Sequence, residues 1–369
     1  MFEPVVENNL TRIGVFGIGG AGCNAVNHMI QSGLRNVDFY AVNTDLQTLR
    51  LNLAENKVQI GAQLTSGSGS GGRPETGRRA AEESLPLLRE VLRGYEMVFI
   101  ATGEGGGTGT GASPLIAETA REHGSLVVAV ATKPFDFEGR PRALKAIEGI
   151  DLLRPRVDTM IVIPNQKLLA RHQKEPMHSA FRMADEVITN AVRTVSDIIT
   201  VPQLVNIDFA DVREVMKEKG AAYLGLGVAS GPDRAKEAAS RAISSELIEE
   251  LSIETAHRVL LNVSGDENLT LQEVEDAAMT VQAMMRNQAD VRFGAAHDPA
   301  LKGMIRVTVI ATGIDEPIAS FGDIQELVRF NGELADRGRQ MAGRGTPGAT
   351  QPIDKNDLRI PAVLRKIMD

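Results

Sequence analysis

Residues Thr102 to Ser113 read TGEGGGTGTGAS, and six of the nine from Gly103 to Gly111 are glycine. Glycine loses more backbone freedom on folding than any other residue, so such a run marks a place where the backbone itself has work to do. A second cluster, GIGGAGCN (Gly17 to Asn24), satisfies G-x-G-x-x-G through Gly17, Gly19 and Gly22. Each cluster follows an apolar, β-rich run and precedes a helical pattern, so each presents backbone N–H groups at a helix N-terminus, where an anion is favoured. A dinucleotide site needs only the first loop plus an acidic residue about 20 residues on, and Asp45 stands in that region. The second loop adds amide donors and the hydroxyls of Thr108 and Thr110, enough for two or three phosphates. Neither loop carries the lysine of G-x-x-x-x-G-K-[ST]. Charge neutralisation is therefore left to helix dipoles, backbone nests and a divalent cation such as Mg²⁺.

The elements that position these loops are legible in the pattern. IGVFGIG, DFYAVN, MVFIAT, LVVAVAT and MIVIP are compact apolar runs, separated by amphipathic stretches such as Arg78 to Arg93 and Pro114 to His123. Strands alternating with helices predict a parallel sheet covered on both faces. A helix is expected from about His178 to Ile198, with Phe181, Ala184, Val187, Ile188, Ala191, Val192 and Val195 at three- and four-residue steps. Beyond it, AAYLGLGVASG, HRVLLNVSG, DVRFGAAH and MIRVTVIATG read as strands of a smaller α/β domain with helices at Arg234 to Leu247 and Leu271 to Met285. A polar stretch, GRQMAGRGTPGATQPIDKN, reads as a linker before the more apolar DLRIPAVLRKIMD.

Composition narrows the function classes. A net charge of −8 argues against a nucleic-acid surface, and the single cysteine, Cys23, excludes an internal disulfide and fits a reducing compartment. The six histidines show no zinc-ligand spacing. The longest apolar runs fall far short of the ~20 residues that span a bilayer, and MFEPVVENN lacks the apolar core of a signal peptide. A cytoplasmic protein without direct membrane insertion is expected.

GGGTGTG (Gly105 to Gly111) resembles the signature of the tubulin superfamily. VNTD (Val42 to Asp45), TKPFDFEGRPR (Thr132 to Arg142), NIDFADVREVM (Asn206 to Met216) and RVTVIATG (Arg306 to Gly313) resemble blocks of its bacterial branch, the FtsZ cell-division GTPases. The resemblance implies a tubulin-like α/β fold: a Rossmann-type parallel-sheet GTP-binding domain joined by a long central helix to a smaller α/β domain. The expected organisation is an N-terminus at 1–11, a GTP-binding domain at 12–177, the central helix at 178–201, an activation domain at 202–314, a linker at 315–356 and a partner-binding peptide at 357–369.

The resemblance further implies a GTP/GDP pocket with Mg²⁺. It is lined by Gly19, Gly20, Ala21, Gly22, Cys23 and Asn24, by Asn43, Thr44 and Asp45, and by Gly103, Gly105, Gly106, Gly107, Thr108, Gly109, Thr110 and Gly111. Asn24 and Asp185 would read guanine, whose N1–H and amine both donate to a carboxylate. Phe181 would pack on the ring, and Glu138 and Arg142 would meet the ribose and phosphates. The loop LTSGSGSGGRPETG (Leu64 to Gly77) would close over the γ-phosphate. Asp208 and Asp211, with Asn206, would orient water and Mg²⁺ in the site of the next subunit, so that hydrolysis needs a head-to-tail contact. Locally, Asp208 also suits a helix N-cap.

The expected activity is GTP hydrolysis by filaments that scaffold the division ring at mid-cell. Leu358, Ile360, Pro361, Val363 and Leu364, beside Arg365 and Lys366, would dock membrane-tethering and regulatory partners. Two rival readings are a GTP-binding paralogue with weak hydrolysis that regulates filaments, and an NAD-dependent oxidoreductase. Three positions depart from the family pattern. Ala21 and Cys23 stand where glycines are common, so neither position is expected to need φ > 0. Cys23 beside phosphates would make binding oxidation-sensitive. Glu104 puts a carboxylate where an apolar residue is usual.

Overall fold

In the computed structural model, the described residues are 11–171, 177–200, 204–218, 221–244, 253–285 and 289–314, all within one compact unit, Met1–Asp315. The 1–11 segment beyond its last residue, the linker and the C-terminal peptide lie outside them.

Six strands, β1 (Ile13–Ile18), β2 (Asp38–Asn43), β3 (Asn56–Gln59), β4 (Met97–Gly103), β5 (Leu126–Lys133) and β6 (Thr159–Pro164), form a parallel sheet in the order β3-β2-β1-β4-β5-β6. Between them run α1 (Gly19–Gln31), α2 (Leu46–Leu51), α3 (Ala62–Thr65), α4 (Pro74–Glu83), α5 (Leu85–Val91), α6 (Thr108–Glu122) and α7 (Arg140–Leu153), with α8 (Asn165–Arg171) after β6. Every residue of β1 is buried because both sheet faces are covered. Val15, Phe99 and Val128 face one apolar cluster with α1, whereas Phe16, Ile100 and Val127 face another with α4, α5 and α6.

The long helix α9 (Met177–Thr200) carries the chain along the sheet from one end to the other. Near its start, Phe181 meets Phe135, which follows the C-terminal end of β5. At its last residue, the Thr200 hydroxyl accepts from Asn36, just before β2 begins. At ~1.5 Å per residue, its 24 residues cover about 36 Å. Ala184, Ile188, Ala191, Val192, Val195 and Ile198 form its buried stripe.

Then follow α10 (Phe209–Met216), β7 (Ala221–Ser230), α11 (Arg234–Ile243), β8 (Arg258–Gly265), α12 (Leu271–Gln282), β9 (Asp290–His297) and β10 (Met304–Ile314). The second sheet runs β7-β10-β8-β9, with β8 and β9 parallel and the other pairs antiparallel. Leu260 of β8 and Ile310 of β10 join the cluster that holds α9 and α10, so one apolar seam binds the second sheet to the first.

Two local expectations need correction. Arg78 to Arg93 is two helices, broken at Ser84, because Pro86 in the first turn of α5 cannot donate to a preceding carbonyl. The second glycine motif is only half loop, since α6 starts at Thr108 rather than near Ser113 and Pro114. Gly109 and Gly111 are helical, and each costs about 1 kcal/mol of propensity relative to alanine. They are needed for contact: a Cβ on Gly111 would overlap Pro74 O of α4, and one on Gly109 would fall 2.7 Å from Thr102 Oγ1 of β4.

Candidate functional site

Strands β1 and β4 are neighbours, and the connections leave them in opposite directions along the sheet. In an open parallel sheet, that switch point opens a crevice at the C-terminal strand ends. Both glycine loops emerge there. Gly19 begins α1 at φ +73°, and a Cβ on it would fall 2.7 Å from Gly109 N of α6, so the two helix starts meet backbone to backbone. Gly20 is exposed with open space where a side chain would stand, and a Cβ on Gly106 would have its nearest neighbour, Gly103 O, 3.9 Å away. Ala21 and Cys23 sit inside α1 with negative φ; the left-handed residue is Gly19.

Hydroxyl groups line the crevice. Thr108 Oγ1 lies 2.7 Å from Thr44 Oγ1 and 3.0 Å from Ser70 Oγ, tying the second loop to the end of β2 and to the 64–77 segment. Gly105 N–H donates to Thr110 Oγ1 at 2.9 Å. Asn43 Oδ1 accepts from Thr44 N and Asp45 N. The Asp45 carboxylate caps α2, accepting from Gln47 N at 2.8 Å, Thr48 N and Thr48 Oγ1. The 64–77 segment is held over the site by Gly69 N–H to Thr44 O and by Lys145 Nζ to Gly72 O at 2.7 Å.

Glu104 turns away from the crevice. It is 3% exposed, neither carboxylate oxygen makes a well-formed hydrogen bond, and a Cβ on Gly149 of α7 would overlap Oε2. Burial pushes its pKa up to about 7, while the adjacent Thr110 and Thr102 hydroxyls offset part of that penalty. Cys23 is also buried: its thiol points to Gly17 O and Val42 O, and burial pushes its pKa up to about 12. A thiol held in that form is inert, which corrects the expectation of oxidation sensitivity.

Asn24 and Asp185 are brought together by helix register. Helices α1 and α9 both run away from the C-terminal strand ends, with His28 Nδ1 3.0 Å from Thr189 Oγ1 and Arg193 Nη2 donating to Ser32 O at 2.8 Å. Both contacts share one offset, and one turn earlier it sets Asn24 opposite Asp185. Asp185 has no cationic partner among the described residues. Burial first, and Glu186 second, raise its pKa to about 7. Phe181 is 38% exposed and packs edge-on against Phe135 and Phe137, their centroids 5.2 and 6.4 Å away. Glu138 closes a 3-10 turn, Asp136–Glu138, where Oε1 accepts Phe135 N–H and Oε2 pairs with Arg142 Nη1 at 2.9 Å. A Cβ on Gly105 would fall 2.5 Å from Arg142 O, so Arg142 abuts the second loop.

Asn206, Asp208 and Asp211 lie elsewhere. Asp208 caps α10, accepting Asp211 N–H at 2.8 Å. Helix α10 docks at the N-terminal ends of the first sheet: Arg213 donates to Glu96 O, just before β4, and Thr159, which opens β6, donates to Met216 O. A strand of six or seven residues separates the two ends by about 20 Å. Within one molecule, these carboxylates and the glycine loops occupy opposite ends of the same sheet.

Residues 12–173 match the Tubulin/FtsZ family, GTPase domain, and residues 220–315 match the FtsZ family, C-terminal domain. The structure is similar to "FtsZ dimer, empty" from M. jannaschii, with 40% identity, a TM-score of 0.78, and coverage of 83% of this chain and 89% of that one. The chain belongs to the tubulin/FtsZ family. It is also 50% identical over 305 residues to "Cell division protein FtsZ" of Caulobacter vibrioides (strain NA1000 / CB15N). That match covers 82% of this chain and 60% of the relative's length. A CetZ2 protofilament from Haloferax volcanii shares the fold at 21% identity, with a TM-score of 0.73 and coverage of 89% and 99%.

Some residues at this FtsZ-type crevice escaped sequence reasoning. Ser70 is buried against Thr108, and Arg73 caps α4 with its backbone N 2.7 Å from where a Cβ of Gly107 would stand. Both were within the quoted Gly/Ser-rich segment, but its composition is that of any surface loop. The cluster of Phe135, Phe137 and Phe181 could have been suspected from PFDF following a strand.

Proposed function

We propose that the protein binds GTP with Mg²⁺ and hydrolyses it in head-to-tail filaments that scaffold the division site at mid-cell, each active site being shared by two molecules. One observation carries this reading: the glycine loops and the carboxylates Asp208 and Asp211 sit at opposite ends of one sheet. Stacking molecules end to end brings the two sets together, and a repeat of that contact builds an open filament. The name of the Caulobacter relative and the protofilament title of the CetZ2 structure agree with it.

The crevice suits a guanine nucleotide. Asp185 is a desolvated carboxylate with no cationic partner among the described residues, opposite Asn24, and guanine N1–H and amine would supply paired donors to it. Phosphates would lie over Gly20 to Asn24 and Gly105 to Thr110, where N–H groups and two helix dipoles converge. Arg142 and Glu138 would face the ribose, and Asn43, Thr44 and Asp45 would line the wall. Among the described residues, no group of acids and histidines forms a metal cage. Mg²⁺ would instead be held by phosphate oxygens and water, and the Thr108 hydroxyl would be a candidate side-chain ligand. The metal supplies charge neutralisation, and Asp208, Asp211 and Asn206 would orient the attacking water from the next molecule. The C-terminal peptide, residues 357–369, would engage membrane-tethering partners from the cytoplasm. No helix among the described residues is long and apolar enough to cross a membrane.

Phosphate release per molecule, measured beside sedimentation with GTP, tests the shared site. It should rise steeply over the concentrations at which polymer appears. A constant specific activity from far below to far above that range would refute the reading.

A further inference from the structure

The segment carrying Asn206, Asp208 and Asp211 is anchored twice to one strand. Before it, Leu204 N–H and Val205 N–H donate to Ala295 O at 2.7 and 3.2 Å, and Ala295 N–H donates back to Val205 O at 3.2 Å. After it, Arg292 of the same edge strand, β9, places Nη1 3.5 Å from Asp211 Oδ1. The second guanidinium nitrogen lies 3.2 Å from Asp290 Oδ2 and 3.8 Å from Glu214 Oε2. Asp290 and Arg292 face α10 from the side of the sheet that also carries Arg258 and Leu260, their β8 partners in register. Arg258 in turn holds Glu214 at 2.5 Å and Glu218 at 2.9 Å.

We propose that Arg292 is a positioning residue for Asp211: it fixes the carboxylate that one molecule presents to the nucleotide site of the next. The proposal rests on the shared-site reading. The Asp208 cap fixes only the backbone of Asp211 and leaves its side chain free to rotate. Asp208, Asp211 and Glu214 follow one another at three-residue steps from the cap to the last turn of a short helix, and their mutual repulsion would splay the middle carboxylate toward solvent. A guanidinium fork anchored by Asp290 opposes that motion, and it loses less freedom per contact than an ammonium would. Arg292 and Asp211 are 41% and 32% exposed, so the pair adds little to folding stability, and its effect falls on geometry. Misplacing a reacting group by about 1 Å is enough to cost large factors in rate.

The test compares Arg292→Gln, Arg292→Lys, Asp211→Ala and the Arg292→Gln/Asp211→Ala double variant, each in the full chain. Turnover at saturating GTP is normalised to sedimented polymer, and GTP affinity is measured on dilute protein. Arg292→Gln should lower turnover roughly fivefold at unchanged GTP affinity, a kcat loss without a binding loss. Arg292→Lys should recover at least half of it, and Arg292→Gln should add nothing once Asp211 is alanine. Asp290→Asn, which frees the guanidinium from its strand, should show the same signature at about twofold. It keeps the test open should the glutamine variant lose its circular dichroism signal. Wild-type turnover in Arg292→Gln beside an impaired Asp211→Ala overturns the positioning role and leaves the shared site standing. Additive losses in the double variant overturn it as well. Wild-type turnover in Asp211→Ala removes the shared-site reading and this inference with it.

Discussion

Glu104→Gln should stabilise the protein at alkaline pH and leave it nearly unchanged in acid. The carboxyl is 3% exposed, lacks a hydrogen-bonding partner of good geometry, and has burial as the leading cause of its raised pKa of about 7. An ordinary glutamate titrates near 4.5, so the folded state binds this proton more tightly than the unfolded one. The sign follows: the favourable contribution is complete below 4.5 and is lost as pH rises through about 7. At ~1.4 kcal/mol per tenfold change in proton affinity, the full span is about 3 kcal/mol, and most of it falls between pH 5 and 8. Glutamine keeps the shape and never ionises. Urea unfolding followed by far-ultraviolet circular dichroism, which suits a chain without tryptophan, would compare the two proteins at both pH values. The variant's advantage at pH 8 should exceed that at pH 5 by about 2 kcal/mol. Asp185 titrates in the same window but is common to both proteins, so it cancels. An advantage equal at both pH values would show that Glu104 finds a partner or water when ionised, and the reasoning would fail.

Further outcomes concern the nucleotide. Asp211→Ala should bind GTP like the parent yet turn over at least about tenfold more slowly, ~1.4 kcal/mol of barrier; parental turnover would remove Asp211 from the mechanism. Asp185→Asn should weaken GTP at least about tenfold, because an amide offers one acceptor oxygen and turns a donor NH2 toward the second guanine donor. Since Asp185 must ionise to accept them, calorimetric GTP affinity should fall as pH drops below about 7, and that acidic limb should vanish in the asparagine variant. Iodoacetamide should leave Cys23 unlabelled in the native protein and label it in urea, and rapid native labelling would contradict its burial.

Periodic features were readable in the sequence wherever one physical cause dominated. The five long strands of the first sheet announce themselves because burial on both faces demands unbroken apolar runs. β3, Asn56–Gln59, is a four-residue edge strand of NKVQ with two exposed positions, and nothing in that composition separates it from a loop. The start of α6 was misplaced for a different reason. Glycine reads as a helix breaker in sequence, but Gly109 and Gly111 are helical, and they are glycine because Thr102 Oγ1 and Pro74 O leave no space for a Cβ. Cys23 shows the same limit. Its neighbours in sequence suggest a thiol beside phosphates, whereas the helix turns Sγ toward Gly17 O and Val42 O. Arg292 was out of reach altogether, because its meaning is a contact across 81 positions of chain with Asp211.

In the proposed shared site, the division of labour between the two ends would follow from the length of α9. A second domain joined by a short turn would return its acidic loop toward the glycine loops, and one molecule could then hold a complete site. With 24 residues, α9 instead carries the chain past the whole first sheet, so NIDFADV is delivered beyond the far strand ends. The same apolar seam, from Ile188 and Val195 through Val212 to Leu260, packs this delivery against the first sheet. A carboxylate held that way would not swing back about 20 Å to the glycine loops of its own molecule. Hydrolysis that depended on Asp211 would therefore report the presence of a neighbour. Glycine loops without a lysine suit the proposed arrangement, since they would bind through fixed backbone donors and would leave completion of the site to the molecule that docks.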